Sequence, residues 1–206
     1  MPNWCSVSLR TTNKDVVAVL KQLDDELKPG LFGAFVPMPP ELVGVNQGAV
    51  WIDGERHELW RDIDGERVPL TEGEATSLQE LYGANGWYDW SVANWSTKWE
   101  ASSVSFDIAA DDYAVVTFDT AWSAPFGFLQ KVIERYPQGE YEMGYAEGGM
   151  GFWGSTRFVD GALVEEFEGS GDFWVPSDDP DCEYGGVAPS AAVLSHLDRY
   201  GLHVGG

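Results

Sequence analysis

The chain has 206 residues, room for one large domain or two small ones. It carries 34 Asp and Glu against 12 Lys and Arg, a formal net charge of −22. A polyanion of this density repels nucleic acid and anionic membranes and attracts basic protein grooves, so nucleic acid and membrane are excluded as direct partners. Ten Trp, ten Phe and eight Tyr separate it from disordered acidic chains, which are poor in aromatics.

The acidity is uneven. Residues 1–36 are neutral overall, residues 37–100 hold twelve acidic and four basic side chains, and residues 139–206 hold thirteen and two. Self-repulsion of this size opposes folding, so a use for the charge is expected; halophilic adaptation is the other origin such acidity has. Cys5 and Cys182 are too few for a disulfide framework. The opening MPNWCSVSLR lacks the basic and apolar regions of a signal peptide, and no run is long enough to span a membrane. The expected compartment is a reducing host-cell cytoplasm.

In chain order, Cys5, Val7, Leu9 and Thr11 alternate with polar residues and predict a half-buried strand. Asn13 is the N-cap of an amphipathic helix carrying Val16, Leu20, Leu23 and Leu27, ended by Pro29-Gly30. Residues 31–36 read as a short second strand. Ile52-Asp53-Gly54-Glu55-Arg56 recurs as Ile63-Asp64-Gly65-Glu66-Arg67, and Asp-Gly between alternating segments predicts a three-stranded meander over 49–70. Thr71 and Glu74 form a capping box for a helix through about Tyr82.

The Trp-rich run from Trp87 to Trp99 reads as a helix ending in a turn. Strands follow over Val104–Ile108 and Val116–Thr120, then a helix after Pro125 whose apolar face is Phe128, Leu129, Val132, Ile133 and Tyr136. Tyr141, Met143 and Tyr145 mark another strand. A hairpin turning at Asp160-Gly161 sets Val159 opposite Ala162, which predicts Gly154 opposite Phe167, Trp153 opposite Glu168 and Ser155 opposite Glu166. Residues 169–188 read as an acidic loop, and a last helix after Pro189 carries Val193, Leu197 and Tyr200.

This order predicts an α+β fold: a ferredoxin-like split βαβ antiparallel sheet with helices on one face, an inserted β-meander plus helices at about 40–100, and an acidic C-terminal extension. The ferredoxin-like domain is expected over 1–168, with 169–206 forming the acidic loop and C-terminal helix packed on it.

Pro2-Asn3-Trp4-Cys5, Pro37-Met38-Pro39, Tyr88-Asp89-Trp90, Asn94-Trp95, Thr97-Lys98-Trp99, Phe118-Asp119-Thr120-Ala121-Trp122-Ser123 with Pro125, and Gly149-Met150-Gly151-Phe152 stand in an order that resembles the phage- and plasmid-encoded family with a YubB-type ferredoxin-like domain. The likeness covers roughly residues 1–168, with Ser96 where the family pattern has Gly. The resemblance implies a ferredoxin-like strand order, carriage on a mobile element and no transferable enzyme activity. It marks Trp4, Trp90, Asn94, Trp95, Lys98, Trp99 and Trp122 as structural motif residues.

The chemistry is sparse. His57-Glu58 lacks a second His at zincin spacing, and Asp178, Asp179, Asp181 and Glu183 fail the EF-hand pattern because Gly185 is displaced and Ser190 occupies the twelfth position from Asp179. No metal and no cofactor are expected. There is no phosphate loop or G-x-S-x-G, so a non-enzymatic protein is expected. The Trp-rich cluster is either a packed core or a cleft for a small ligand or carbohydrate, binding or hydrolysing it. If so packed, Lys98 pairs with Asp89 or Asp119.

The acidic face carries the leading expectation. Glu140, Glu142, Glu166 and Glu168 are expected on one outer sheet face with i, i+2 spacing of about 6.7 Å, and Trp153 among them as an anchor. The tail adds Asp172, Asp178, Asp179, Asp181 and Glu183. Such an array fits a basic groove built for a phosphate backbone. The expected function is inhibition, by nucleic-acid mimicry, of a host nucleic-acid-binding defence protein of CRISPR or restriction type.

Overall fold

The computed structural model describes residues 2–169, 171–179 and 184–204. Strand β1 (Trp4–Thr11) leads into α1 (Lys14–Asp25), whose first turn is closed by Asn13 accepting the Val16 N–H at 2.9 Å. Leu27 lies beyond the helix and is exposed. Residues 31–36 correct the expectation of a strand: Leu31–Phe35 is a short helix, α2. Glu100, far along the chain, accepts the free N–H groups of Phe32 (2.6 Å) and Gly33 (2.9 Å), so a distant carboxylate supplies the cap that local sequence lacks.

The meander forms as a three-stranded sheet, β2 (Val45–Ile52), β3 (Glu55–Ile63) and β4 (Glu66–Pro69). Its tips take positive φ at both turn residues, Asp53 (52°) and Gly54 (84°), Asp64 (54°) and Gly65 (86°), which gives the right-handed twist the strands need. Helix α3 (Glu72–Tyr82) starts with the Thr71–Glu74 capping box, and α4 (Trp87–Trp95) follows.

The main sheet has six antiparallel strands in the order β5-β6-β1-β7-β8-β9, with β5 (Ser102–Ala110), β6 (Tyr113–Ala121), β7 (Glu140–Glu147), β8 (Phe152–Val159) and β9 (Ala162–Glu168). Helix α5 (Phe126–Arg135) joins β6 to β7, and β1 lies between those two strands. One face of the sheet buries Val7, Leu9, Phe118, Tyr141, Met143 and Tyr145 in the same core as α1, α2, α5 and the inserted Trp90 and Trp95. Phe32 sits at its centre, 4.4 Å from the Phe128 ring centroid and 5.5 Å from Trp95.

The opposite face departs from the expectation that helices occupy one side. Helix α6 (Ala191–Tyr200) covers β7 and β8 there, forming a second cluster of Ala146, Trp153, Phe173, Val193 and Leu197. Gly144 makes this possible: a Cβ on it would lie 2.2 Å from the Tyr200 ring. The acidic loop is also more ordered than expected. Trp174–Pro176 (β10) pairs with Val187–Pro189 (β11), and Phe173 is buried beside Trp153. Burying Phe173 offsets the repulsion of the acidic residues around it.

Glu100 is partly buried, and burial raises its carboxyl above the ordinary 4.5, against the lowering effect of its backbone hydrogen bonds. A raised folded value means its contribution is fully present below about pH 4.5 and declines as pH rises through the folded value. Glu100→Ala is expected to cost about 1–3 kcal/mol, because two helix N–H groups lose their acceptor. Glu100→Gln should retain part of that and flatten the pH dependence, read by urea unfolding across pH 4–8.

Candidate functional site

The hairpin β8–β9 decides where the carboxylates point. Val159 faces Ala162 and Phe158 faces Leu163 as expected, but the next pair is Arg157 with Glu165. Val164 is an extra residue, a β-bulge, and every pair beyond it shifts by one. Thr156 faces Glu166, Ser155 faces Phe167 and Gly154 faces Glu168. Glu166 and Glu168 therefore lie on the α5 side, whereas Glu140 and Glu142 lie on the α6 side. The expected four-carboxylate array does not form, since a one-residue slip inverts a strand's faces.

The two glutamates on the α6 side are also neutralised. Arg157 Nε donates to Glu140 at 2.5 Å, and that hydrogen bond holds the Glu140 carboxyl below its ordinary range. Glu142, with only 16% of its side chain exposed, takes Arg199 at 3.1 Å, the Tyr200 hydroxyl at 2.8 Å and Arg10 at 3.7 Å. Trp153, expected as an exposed anchor, is 2% exposed beneath Phe173 and α6. Asp172 and Asp178 are exposed, and Asp179 lies beside them. Asp181 and Glu183 fall outside the described residues.

The aromatic motif residues separate into two groups. Trp90 and Trp95 are core; the Trp95 indole donates to the Val36 carbonyl at 3.0 Å and Asn94 Nδ2 donates to the Trp90 carbonyl. Trp99 and Trp122 are exposed, with Trp4 6.3 Å from Trp99. Lys98 pairs with neither Asp89 nor Asp119. Its ammonium lies 4.5 Å from the Trp99 ring centroid and within 6.0 Å of Trp87 and Tyr88, a cation–π arrangement. Asp89 accepts instead from Gln47. Trp122 is held at φ 73°, unusual for a bulky residue, where its N–H reaches the Asn3 carbonyl. Ser96 ends α4 at φ 61°, the left-handed conformation that suits the Gly expected at this position, and its hydroxyl accepts the Gly127 N–H.

Two polar constellations were not legible in the sequence. Glu147 is fully buried and accepts the N–H groups of Gly149 (2.6 Å) and Met150 (2.7 Å), which closes the β7–β8 turn. Ser6, His203 and Asp119 stand in line, with Ser6 Oγ 3.2 Å from His203 Nδ1 and His203 Nε2 3.2 Å from Asp119 Oδ1. This resembles a nucleophile–base–acid relay, but Ser6 is 3% exposed in mid-strand and its oxygen also faces the His203 N–H, so the group ties the C-terminal segment to the sheet. The Cys5 thiol is pushed up to about 12, chiefly by burial, and is not a nucleophile at neutral pH.

A groove of about 520 Å³ opens on the α5 side, between that helix and β8–β9. Phe126, Ile133, Phe158 and Leu163 line it, and Glu134 and Glu166 stand at its rim. Thr156 forms part of its wall, and its hydroxyl has no hydrogen-bond partner among the described residues.

On this geometry the comparisons with known proteins can be placed. Residues 94–181 match the family model described as "Ferredoxin-like domain in Api92-like protein". That stretch is similar to the ferredoxin-like domain of Api92-like proteins. The chain is also similar to the uncharacterized protein YubB of Escherichia coli (strain K12), at 29% identity over 122 residues, covering 59% of this chain and 83% of YubB. A crystal structure of a protein api92 from Yersinia pseudotuberculosis aligns with a TM-score of 0.45 and 12% identity, covering 84% of this chain and 100% of that one. YubB-like and Api92-like relatives bear no enzymatic name. Among the described residues no helix is long and apolar enough to cross a membrane.

His196 anchors α6, with Nε2 3.2 Å from the Tyr145 carbonyl and its ring centroid 4.8 Å from that of Tyr200, tilted at 50°. Burial is the main cause that lowers its pKa below 6.5. A lowered folded value means full stability above about pH 6.5 and progressive loss as pH falls through the folded value. Near-UV circular dichroism should show the α6 cluster loosening over that descent, and His196→Gln should remove the step.

Proposed function

We propose that this chain is a non-enzymatic acidic protein of a phage or plasmid that binds and inhibits a host nucleic-acid-handling defence protein of CRISPR or restriction type. The frame of this reading is a split βαβ ferredoxin-like core with an acidic C-terminal extension, working in the host cytoplasm. The partner presents a basic groove; nucleic acid and membrane are not bound directly. Because the bulge at Val164 separates the sheet glutamates, the mode is competition through local negative potential rather than a regular phosphate mimic.

One observation carries the reading: on β9, Glu166 and Glu168 are exposed with no Lys, Arg or His in ion-pair range among the described residues, although arginines neutralise the opposite face. The carriage on a mobile element that the sequence resemblance implies fits this partner class. The alternative, a Trp-rich ligand cleft or hydrolase, is weakened because Trp90 and Trp95 are spent on the core. The test is a pull-down of a basic DNA-binding defence complex as salt rises from about 0.05 to about 0.5 M. Binding that weakens steeply is expected; binding that persists unchanged, or none at low salt, sinks the proposal.

A further inference from the structure

We propose that the free edge of β9 and the groove beside α5 form a docking site for an extended, cationic segment of a partner protein, which adds to the sheet as a further strand. The inference rests on the reading above for the sign of the partner's charge, and it adds the place and the mode of binding.

Four observations converge. First, β9 pairs with β8 on one side and with nothing among the described residues on the other. An open edge carries unpaired N–H donors and C=O acceptors, the groups that strand addition uses. Second, the edge is unusually apolar: Leu163, Val164 and Phe167 are 50%, 52% and 45% exposed, and no Lys, Arg or Pro interrupts β9. Third, the neighbouring groove is a preformed apolar slot, into which an alternate side chain of an added strand can fold between Phe126 and Leu163. Fourth, the Thr156 hydroxyl in its wall is 96% buried with no partner among the described residues, which leaves a hydrogen bond for the occupant to complete.

Charge selects the occupant. Glu134 and Glu166 stand at the groove, and Glu168 lies on the same face of the strand. A second copy of this chain would set these carboxylates against their equivalents, which like-charge repulsion disfavours. A segment alternating apolar residues with Lys or Arg fits both the slot and the rim. The bulge at Val164 reinforces the choice, because it turns Glu166 and Glu168 toward the groove.

The experiment uses the full chain and a capped nine-residue peptide alternating lysine with phenylalanine or valine. Saturable binding by calorimetry is expected, with amide shifts confined to β9 and α5. Backbone N-methylation of the peptide should weaken binding at least about tenfold, because it removes the strand pairing. Glu134→Lys with Glu166→Lys should weaken it by a similar factor. Glu55→Lys with Glu66→Lys, an equal charge change on the meander, should alter it less than about twofold. No saturable binding, indifference to N-methylation, or equal loss from both charge pairs overturns the site. If the site fails while the defence complex is still captured at low salt, only the location is wrong; if that capture also fails, the charge reading falls with it.

Discussion

Trp153→Ala is expected to cost about 3–5 kcal/mol and to release α6 from the sheet. Trp153 is the largest residue of the second cluster, in edge contact with Phe173 (5.8 Å between centroids), and Gly169 is packed so closely that a Cβ there would sit 2.0 Å from its ring. The void is hard for neighbours to close, because Gly169 brings its backbone against the ring with no side chain to rearrange. Hydrogen exchange should show amides of α6 and of β10–β11 opening while those of β1, β6 and α5 stay protected. Had Trp153 been the exposed anchor that an uncovered outer sheet face predicts, truncation would leave stability within about 0.5 kcal/mol and would act only on partner binding. The two outcomes are far enough apart for one denaturation curve to separate them.

The register of β9 shows where local sequence stops informing. The turn at Asp160-Gly161 was legible, and both residues take positive φ, 48° and 81°. The slip three residues later was not, although a signal exists: Leu163-Val164 and Glu165-Glu166 are like pairs that break the alternation of a strand. Reading that break as a bulge would have put Glu166 beside Thr156. Caps supplied from nearby, such as Asn13 and the Thr71–Glu74 box, were readable because the spacing is short and fixed. The cap on α2 was not, because Glu100 reaches it only in the folded chain, and a short apolar run such as Leu31–Phe35 fits helix and strand equally well.

The acidic face was misjudged for a related reason. Counting carboxylates fixes the net charge, but among the described residues six of the arginines and lysines find acidic partners: Arg10, Lys21, Lys28, Arg56, Arg157 and Arg199. Three of these gather around Glu140 and Glu142, whose exposure the strand pattern alone suggested. Pairing across Arg10, Glu142 and Arg199 joins the first strand to the last helix, a separation in sequence that no short-range pattern records. Of the four sheet glutamates, the two left without a basic partner among the described residues are Glu166 and Glu168 on the edge strand, and they are identified only once the pairing is known.

Phe32→Ala is expected to cost about 3–5 kcal/mol, as large as the loss at Trp153 but different in reach. Phe32 is fully buried and touches rings from three elements: Trp95 of α4, Phe118 of β6 at 5.8 Å and Phe128 of α5 at 4.4 Å. Those partners join the inserted segment to the main sheet, so the cavity weakens both at once. Hydrogen exchange and Trp fluorescence should report one cooperative loss spanning β1, β6, α4 and α5, with α6 following because its platform is the same sheet. Trp153→Ala and Phe32→Ala combined should be close to additive, since the two clusters lie on opposite faces of the sheet and share no side chain. A coupling well beyond about 0.5 kcal/mol would instead mean that the sheet transmits strain between its faces, and that the α6 layer helps to hold the core beneath it.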